Sequence, residues 1–301
     1  MSIRALDTAE PGLRDLTAPE VGAETARGRI WSKLRRSPSA MVGLAILCAY
    51  VGLALVGPLV APFDPGHDIL RDQFLTPSVH HFLGTDDLGR DEFLMLVYGA
   101  RYTLYLGFLA VAIGLAVGLP LGAASGYFGG WVDLLVQRFT DVLLSFPGIL
   151  LALALVAGLG VGLRNVIIAV GVSSIPIFIR LVRASALSIR ELPYVEAARA
   201  LGVPNWLILL RHVLPNSLAP VIVQATLQLG AAILVAAGLG FLGLGVQKPT
   251  PEWGSMLGEA RTYIFTDASL VTLPGLAIFG AVLAFNLVGD GLRDALDPRL
   301  K

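Results

Sequence analysis

The residues with the most evident capacity for metal chemistry lie in one short segment. His80 and His81 are followed by Asp86, Asp87 and Asp91, the last three in the run GTDDLGRD. Imidazole and carboxylate groups are common metal ligands. Their spacing here matches no established ligand pattern, and Asp or Thr at the start of a helix usually serves as a cap. We therefore predict capping residues and no metal site.

Covalent and hydrolytic chemistry finds no support in the sequence. The motifs H-E-x-x-H, G-x-S-x-G and G-x-x-x-x-G-K-[ST] do not occur, and none of the three lysines follows a glycine. We predict no catalytic residues, no bound cofactor and no Walker A site for ATP. If ATP supplies energy for this protein, that energy must come from another chain.

The composition places the chain in a membrane. Hydrophobic residues make up 55% and charged residues 15% of the chain, against about 25% charged in soluble domains. Crossing a bilayer takes about 20 helical residues. Six runs are predicted to span, the fourth extended by arginines whose heads reach the interface: Ser37–Phe63, Tyr102–Val132, Val142–Leu163, Asn165–Ile179, His212–Gln247 (its helix about Leu218–Val246) and Ala268–Gly289.

The predicted organisation is that of an all-α polytopic membrane protein. An N-terminal tail and basic anchor precede a first transmembrane helix, an external loop and a core of five further helices. The corresponding ranges are 1–36, 37–63, 64–100 and 101–290, with a polar elbow at 190–215, an external segment at 247–269 and a C-terminus at 291–301.

The distribution of basic residues predicts the orientation. If the N-terminus is cytoplasmic, only six of the 22 Lys and Arg residues fall outside: Arg71, Arg90, Arg101, Arg164, Lys248 and Arg261. The positive-inside rule then places both termini and the elbow in the cytoplasm. A formal net charge of zero gives no reason to expect a nucleic-acid partner.

Residues within the spans indicate packing rather than ion transport. Gly114, Gly118 and Gly122 recur every four residues, which predicts a face for close helix contact. Gln224 and Gln228 lie one turn apart and are candidates either for lining a polar pathway or for interhelical hydrogen bonds. No Asp, Glu, Lys or Arg lies at mid-depth of a span, which disfavours a self-powered ion-coupled carrier.

The external segment Lys248–Asp267 is amphipathic. Trp253 and Tyr263 are predicted as interfacial aromatics, so the segment could lie on the membrane. Alternatively it presents a docking surface to a partner, with Glu252 and Trp253 as the candidate contact residues.

The elbow combines two short helices and a sharp turn. Pro193 suits the first turn of a helix over about Tyr194–Leu201, and Gly202 suits the left-handed position after it. Asn205 is predicted to cap a second helix, with Trp206, Leu207, Leu209 and Leu210 on its apolar face, and Pro215 is predicted to end it.

The elbow resembles the EAA loop of ABC importer permeases. Glu196, Ala197, Ala198, Gly202, Leu214 and Pro215 fall on its register, whereas His212 departs from it at the usual Ile position. The runs GTDDLGRD, FPG, GFLGLG, PTPEWG and GDGLRDALDP look like those of the second permease subunit of dipeptide, oligopeptide and nickel importers. The resemblance covers about residue 30 onward.

The resemblance implies a type I importer permease fold in the bacterial inner membrane. It further implies a second homologous permease, one or two nucleotide-binding ATPase subunits and an extracytoplasmic solute-binding protein as partners. The elbow would couple to the ATPase through Glu196, Ala197, Ala198, Gly202, Leu214 and Pro215. The expected cargo is a di- or oligopeptide, with glutathione, a nickel chelate or an opine left open. A passive channel or a scaffold is the alternative of another class.

Overall fold

A computed structural model describes residues 26–60, 62–64, 66 and 69–296. Most of the N-terminal tail and residues 297–301 lie outside this part of the chain. The all-α prediction is confirmed, since every regular secondary-structure element in these ranges is a helix. In chain order the helices are α1 Ala26–Arg36, α2 Pro38–Val60, α3 Glu92–Phe128, α4 Gly130–Leu144, α5 Gly148–Leu159, α6 Leu163–Ile189, α7 Pro193–Ala200, α8 Asn205–Ile208, α9 Leu214–Phe241, α10 Trp253–Ala260 and α11 Ser269–Leu296.

Five helices are long and apolar enough to cross a membrane, and a bent pair accounts for the sixth predicted span. That pair, α4 and α5, meets at an angle of 86°. Pro147 directly precedes α5 and disfavours a helical conformation at Phe146, which explains why the predicted single run is broken. The prediction of six spans is confirmed when the pair is counted as one.

α3 and α6 form the centre of the bundle through the predicted glycine face. A Cβ atom on Gly118 would lie 2.5 Å from Phe178 Cβ, and one on Gly122 would lie 2.6 Å from the Ile179 carbonyl oxygen. Contacts this short leave no room for a side chain, so the backbones of the two helices touch. The packing role of the glycine stripe is confirmed.

Two ion pairs fix α4 against α6. Arg183 donates from Nε and Nη2 to the two carboxylate oxygens of Asp133, at 2.6 and 2.7 Å. Arg180 Nη2 donates to Asp141 Oδ1 at 2.9 Å. The heads of the two arginines were expected to reach the membrane interface, and the structure gives each a carboxylate partner.

The second helix of the elbow does not end at Pro215. The chain is helical without a break from Asn205 to Phe241, and a π-helical turn at Leu209–Val213 lies just before the proline. In that turn the Leu214 amide bonds to the Leu209 carbonyl. The wider turn relieves the ring clash that a proline causes in a regular α-helix, so the prediction was wrong for a local reason.

Candidate functional site

The elbow is built around a tight turn after α7. The Val203 amide donates to the Ala198 carbonyl at 3.1 Å and the Gly202 amide to the Arg199 carbonyl at 2.9 Å. This pair of bonds is a Schellman motif. Gly202 has φ of +77°, the left-handed conformation predicted for it, and a Cβ atom there would meet nothing within 4 Å. Glycine is required by backbone conformation and not by space.

The inner side of the elbow packs on the end of the bundle. Its buried apolar cluster comprises Tyr127, Ala186, Ile189, Val195, Ala198, Ile208 and Val213. The predicted apolar face of the second helix is shifted, because Ile208 is buried whereas Trp206 and Leu210 are 60% and 54% exposed. An unexpected apolar rim therefore faces outward from the elbow, formed by Leu201, Trp206 and Leu210.

The predicted coupling residues divide between the two sides of the elbow. Glu196, Ala197, Gly202 and Pro215 are exposed, Ala198 is buried and Leu214 is half-buried. In the described part of the chain, Glu196 forms no ion pair with Arg199. The Arg199 guanidinium lies 5.3 Å from the centre of the Tyr127 ring instead. Asn205 is the first helical residue and not the cap, and its Oδ1 accepts a hydrogen bond from Tyr127.

The two glutamines of α9 have different environments. Gln228 is buried, and its Nε2 donates to Ser174 Oγ on α6 at 3.0 Å. Gln224 is half-buried and lines a cavity of about 530 Å³ between α6, α9 and α11, together with Leu181, Val223 and Arg293. Of the two alternatives, the structure shows interhelical bonding for Gln228, and pathway lining by Gln224 stays a prediction.

The predicted docking residues Glu252 and Trp253 do not form a surface. Each is 1% exposed. Glu252 caps α10 by accepting from the Ser255 amide at 3.0 Å, and it also accepts from Thr103 Oγ1 at 3.1 Å. Trp253 Nε1 donates to the Leu96 carbonyl at 3.0 Å. Both side chains join α10 to α3, which corrects the expectation that they contact a partner.

The carboxylates of the external segment experience a partly desolvated environment. Burial raises the pKa of the Glu252 carboxyl, against an opposing effect of the hydrogen bonds from the backbone of Gly254 and Ser255 and from Thr103. Burial also raises the pKa of Glu259, which Lys248 and Arg90 counteract. These residues therefore favour the neutral carboxyl more than an exposed acid would.

The GTDDLGRD run stabilises the loop before α3 through a helix cap and an ion pair. Asp91 accepts from the Leu94 amide at 3.0 Å and caps α3, which confirms the capping prediction. Asp86 binds the buried Arg90 guanidinium at 2.7 Å. Among the described residues, no group of three or more His, Cys, Asp or Glu side chains could hold a metal ion.

Sequence reasoning missed how this loop joins the external segment. Lys248 Nζ lies 3.2 Å from Glu259 and 3.7 Å from Asp87, and Arg90 lies 3.6 Å from Glu259. The opposite charges of GTDDLGRD and the 247–267 segment were visible in the sequence. Their pairing was not, because more than 150 residues separate them along the chain.

Comparison with known proteins gives two family matches along this chain. Residues 118–301 match the family described as binding-protein-dependent transport system inner membrane component. Residues 25–77 match the N-terminal transmembrane domain of oligopeptide transport permease C.

Among similar proteins is the dipeptide transport system permease protein DppC of Alkalihalophilus pseudofirmus, 48% identical over 271 residues, which cover 90% of this chain and 89% of the relative. The glutathione transport system permease protein GsiD of Pectobacterium atrosepticum is 44% identical over 272 residues, which cover 90% of each chain. GsiD of Escherichia coli O157:H7 is 47% identical over the same length and coverage.

A solved structure shares the fold. The inward-facing MetNI methionine ABC transporter aligns with a TM-score of 0.56 and 24% identity, covering 67% of this chain and 96% of that chain. At this identity the similarity shows the fold alone. It agrees with the expected type I importer permease architecture.

Proposed function

We propose a function from the premise that this chain belongs to the family of binding-protein-dependent transport system inner membrane components. The chain is a permease subunit of an ATP-driven importer, and it supplies half of a translocation pathway for di- or oligopeptides. The observation that carries the proposal is the elbow. It is a pair of short helices with a solvent-exposed outer side, and its second helix continues without a break into the α9 span.

The elbow has the properties of a contact for another protein. Its backbone is held by the Schellman turn at Gly202, its inner side is packed, and its outer side carries Glu196 and the apolar rim of Leu201, Trp206 and Leu210. A rigid segment of this kind can pass on a rigid-body movement. We propose that it binds a nucleotide-binding ATPase subunit in the cytoplasm, and the distribution of Lys and Arg supports this side of the membrane for the elbow.

The remaining roles belong to other subunits. A second permease completes the pathway, an external solute-binding protein delivers the cargo, and the ATPase subunits bind ATP and magnesium. This chain itself performs no catalysis and binds no cofactor. A dipeptide is the first candidate cargo because of the DppC relative, and glutathione, itself a tripeptide, is the second because of the GsiD relatives. A nickel chelate or an opine has no such support.

Reconstitution tests this function directly. The chain is assembled in liposomes with its second permease, ATPase subunits and binding protein, and dipeptides, longer peptides and glutathione are supplied singly. We expect a peptide to stimulate both ATP hydrolysis and its own uptake. Uptake down a gradient without ATP or a binding protein would instead indicate a passive channel, and failure to copurify with an ATPase would exclude an importer subunit.

Two variants test the elbow within that assay. Glu196→Arg reverses the charge of the exposed side, and Gly202→Trp places a large side chain in a left-handed conformation. We expect both proteins to insert and both complexes to lose transport-coupled ATP hydrolysis. Asp294→Arg, which makes the same charge change on an exposed residue of α11, is the control. Wild-type ratios of uptake to ATP hydrolysis in both elbow variants would contradict the assignment.

A further inference from the structure

Tyr127 makes three different contacts with the elbow from the last turn of α3. Its Oη donates to Asn205 Oδ1 at 2.9 Å, and the Arg199 guanidinium lies 5.3 Å from its ring centre. The ring itself is 5% exposed and belongs to the apolar cluster that includes Val195 and Ile208. One side chain thus contacts α7 and α8, on both sides of the turn at Gly202.

The base of Tyr127 is held firmly. The preceding residue, Gly126, packs so closely on α6 that a Cβ atom would lie 2.6 Å from the Arg183 carbonyl oxygen. Arg190, just after α6, donates from Nη1 to the Gly126 carbonyl at 3.1 Å. These two contacts tie the end of α3 to α6.

Asn205 is the other end of the connection. It is the first residue of the helix that continues to Phe241, which at 1.5 Å per residue is about 55 Å long. The Tyr127 hydrogen bond therefore joins the tip of this helix to the α3–α6 pair. The remaining covalent route from α6 to the elbow is the short segment Arg190–Leu192.

We infer that Tyr127 is a positioning residue for coupling, which fixes the angle of the elbow to α3 so that a displacement of the elbow reaches α9 and the α3–α6 pair together. This inference rests on the proposed importer function and adds a specific residue to it. Packing alone is the competing explanation. A phenylalanine would keep the ring, its apolar contacts and the Arg199 interaction, and would remove only the bond to Asn205.

The test uses variants that separate the hydrogen bond from the packing. Tyr127→Phe removes the donor, Asn205→Ala removes the acceptor, and Asn205→Asp keeps an acceptor oxygen in the same position. Tyr98→Phe is the matched control, since its hydroxyl accepts from the Phe63 amide near the opposite end of α3. Each variant is reconstituted in the complete complex, and peptide uptake and ATP hydrolysis are measured in the same vesicles.

We expect Tyr127→Phe and Asn205→Ala to lower uptake per ATP hydrolysed by about 3- to 10-fold, the population change that loss of one hydrogen bond produces. ATP hydrolysis and the amount of assembled complex should remain near wild type. The double variant should be no worse than either single one, because both remove the same bond. Asn205→Asp and Tyr98→Phe should keep the wild-type ratio.

Other results would overturn the inference. A wild-type ratio in Tyr127→Phe, or an equal loss in Asn205→Asp and Asn205→Ala, would show that this bond does not carry coupling. A parallel fall in uptake, hydrolysis and assembly would show a purely structural role. If the wild-type complex shows no binding-protein-dependent uptake of any peptide, the proposed function itself fails, which is a separate result.

Discussion

Gln228 Nε2 donates a hydrogen bond to Ser174 Oγ at 3.0 Å and so joins the interior of α9 to that of α6. Ser174 Oγ in turn donates to the Val170 carbonyl at 2.9 Å. Both side chains are buried. In an apolar environment such a bond fixes the rotation of one helix relative to the other, and measured values for it average about 0.6 kcal/mol.

Gln228→Leu should therefore lower the free energy of unfolding by about 0.6 to 1.5 kcal/mol, because the bond is lost while the side-chain volume is roughly kept. Thermal unfolding of the purified protein in one detergent measures the effect. Gln224→Leu is the matched control, since Gln224 forms no hydrogen bond with another described side chain. Equal loss of stability in the two variants would contradict the assignment.

Gln224→Leu should instead change transport. Gln224 lines the cavity of about 530 Å³ near Arg293, and leucine would make its wall more apolar. We expect the KM for peptide uptake to rise several-fold in the reconstituted complex while thermal stability stays within about 0.5 kcal/mol of wild type. Unchanged uptake kinetics would show that the cavity lies away from the pathway.

Gly122→Ala should destabilise the bundle. The new methyl group would lie 2.6 Å from the Ile179 carbonyl oxygen and 2.9 Å from Val182 Cβ, so α3 and α6 must separate. Overpacking of this kind costs about 1 to 3 kcal/mol. Gly52→Ala on α2 is the control, because a Cβ atom there meets nothing within 4 Å. Thermal unfolding that ranks Gly52→Ala at or below Gly122→Ala would contradict the packing assignment.

The sequence predicted those features that depend on local spacing. Glycines four residues apart predict a helix contact, and a glycine between Leu201 and Val203 predicts a left-handed turn, because both follow from backbone geometry. The burial of Trp253 was not predictable in this way. Its stretch is amphipathic in isolation, and its position is decided by Thr103 and Leu96, some 150 residues earlier, whose groups bond to it.

Pro215 shows the same limit within a single helix. A proline ordinarily ends or kinks a helix, and the sequence alone favours an end. The structure retains the helix by widening one turn at Leu209–Val213. The widened turn also keeps Ile208 and Val213 in the buried apolar cluster of the elbow, and this tertiary packing is not visible in the spacing of the helix residues.

Glu252→Gln should flatten the dependence of stability on pH. Burial raises the pKa of Glu252 in the folded state above the value in the unfolded chain, so between these two values the folded state binds more protons. The free energy of unfolding then falls as pH rises through that window, and the whole loss is present above the folded-state pKa. A glutamine can still accept from the Ser255 amide and cannot ionise.

Thermal unfolding of wild type and Glu252→Gln, followed from pH 4 to pH 8 in about half-unit steps, measures this effect. The stability of Glu252→Gln relative to wild type should increase as pH rises. Glu252→Ala, which also removes the cap, should be less stable than Glu252→Gln at every pH, by about 1 kcal/mol. Parallel wild-type and glutamine curves would contradict a raised pKa at this carboxyl.

A substitution series at Gly202 separates backbone conformation from space in the elbow. The residue has φ of +77° with nothing near its Cβ position, so the penalty for a side chain arises from the left-handed conformation. Asparagine tolerates that conformation, whereas a β-branched residue resists it at a cost of about 1 to 2 kcal/mol or more. We therefore expect Gly202→Asn to keep peptide-stimulated ATP hydrolysis within about twofold of wild type, and Gly202→Val to lose most of it while still inserting. A steric clash cannot distinguish the two variants, because nothing lies within 4 Å of the Gly202 Cβ position. Equal behaviour of valine and asparagine would therefore show that the left-handed turn does not hold the elbow in its coupling position.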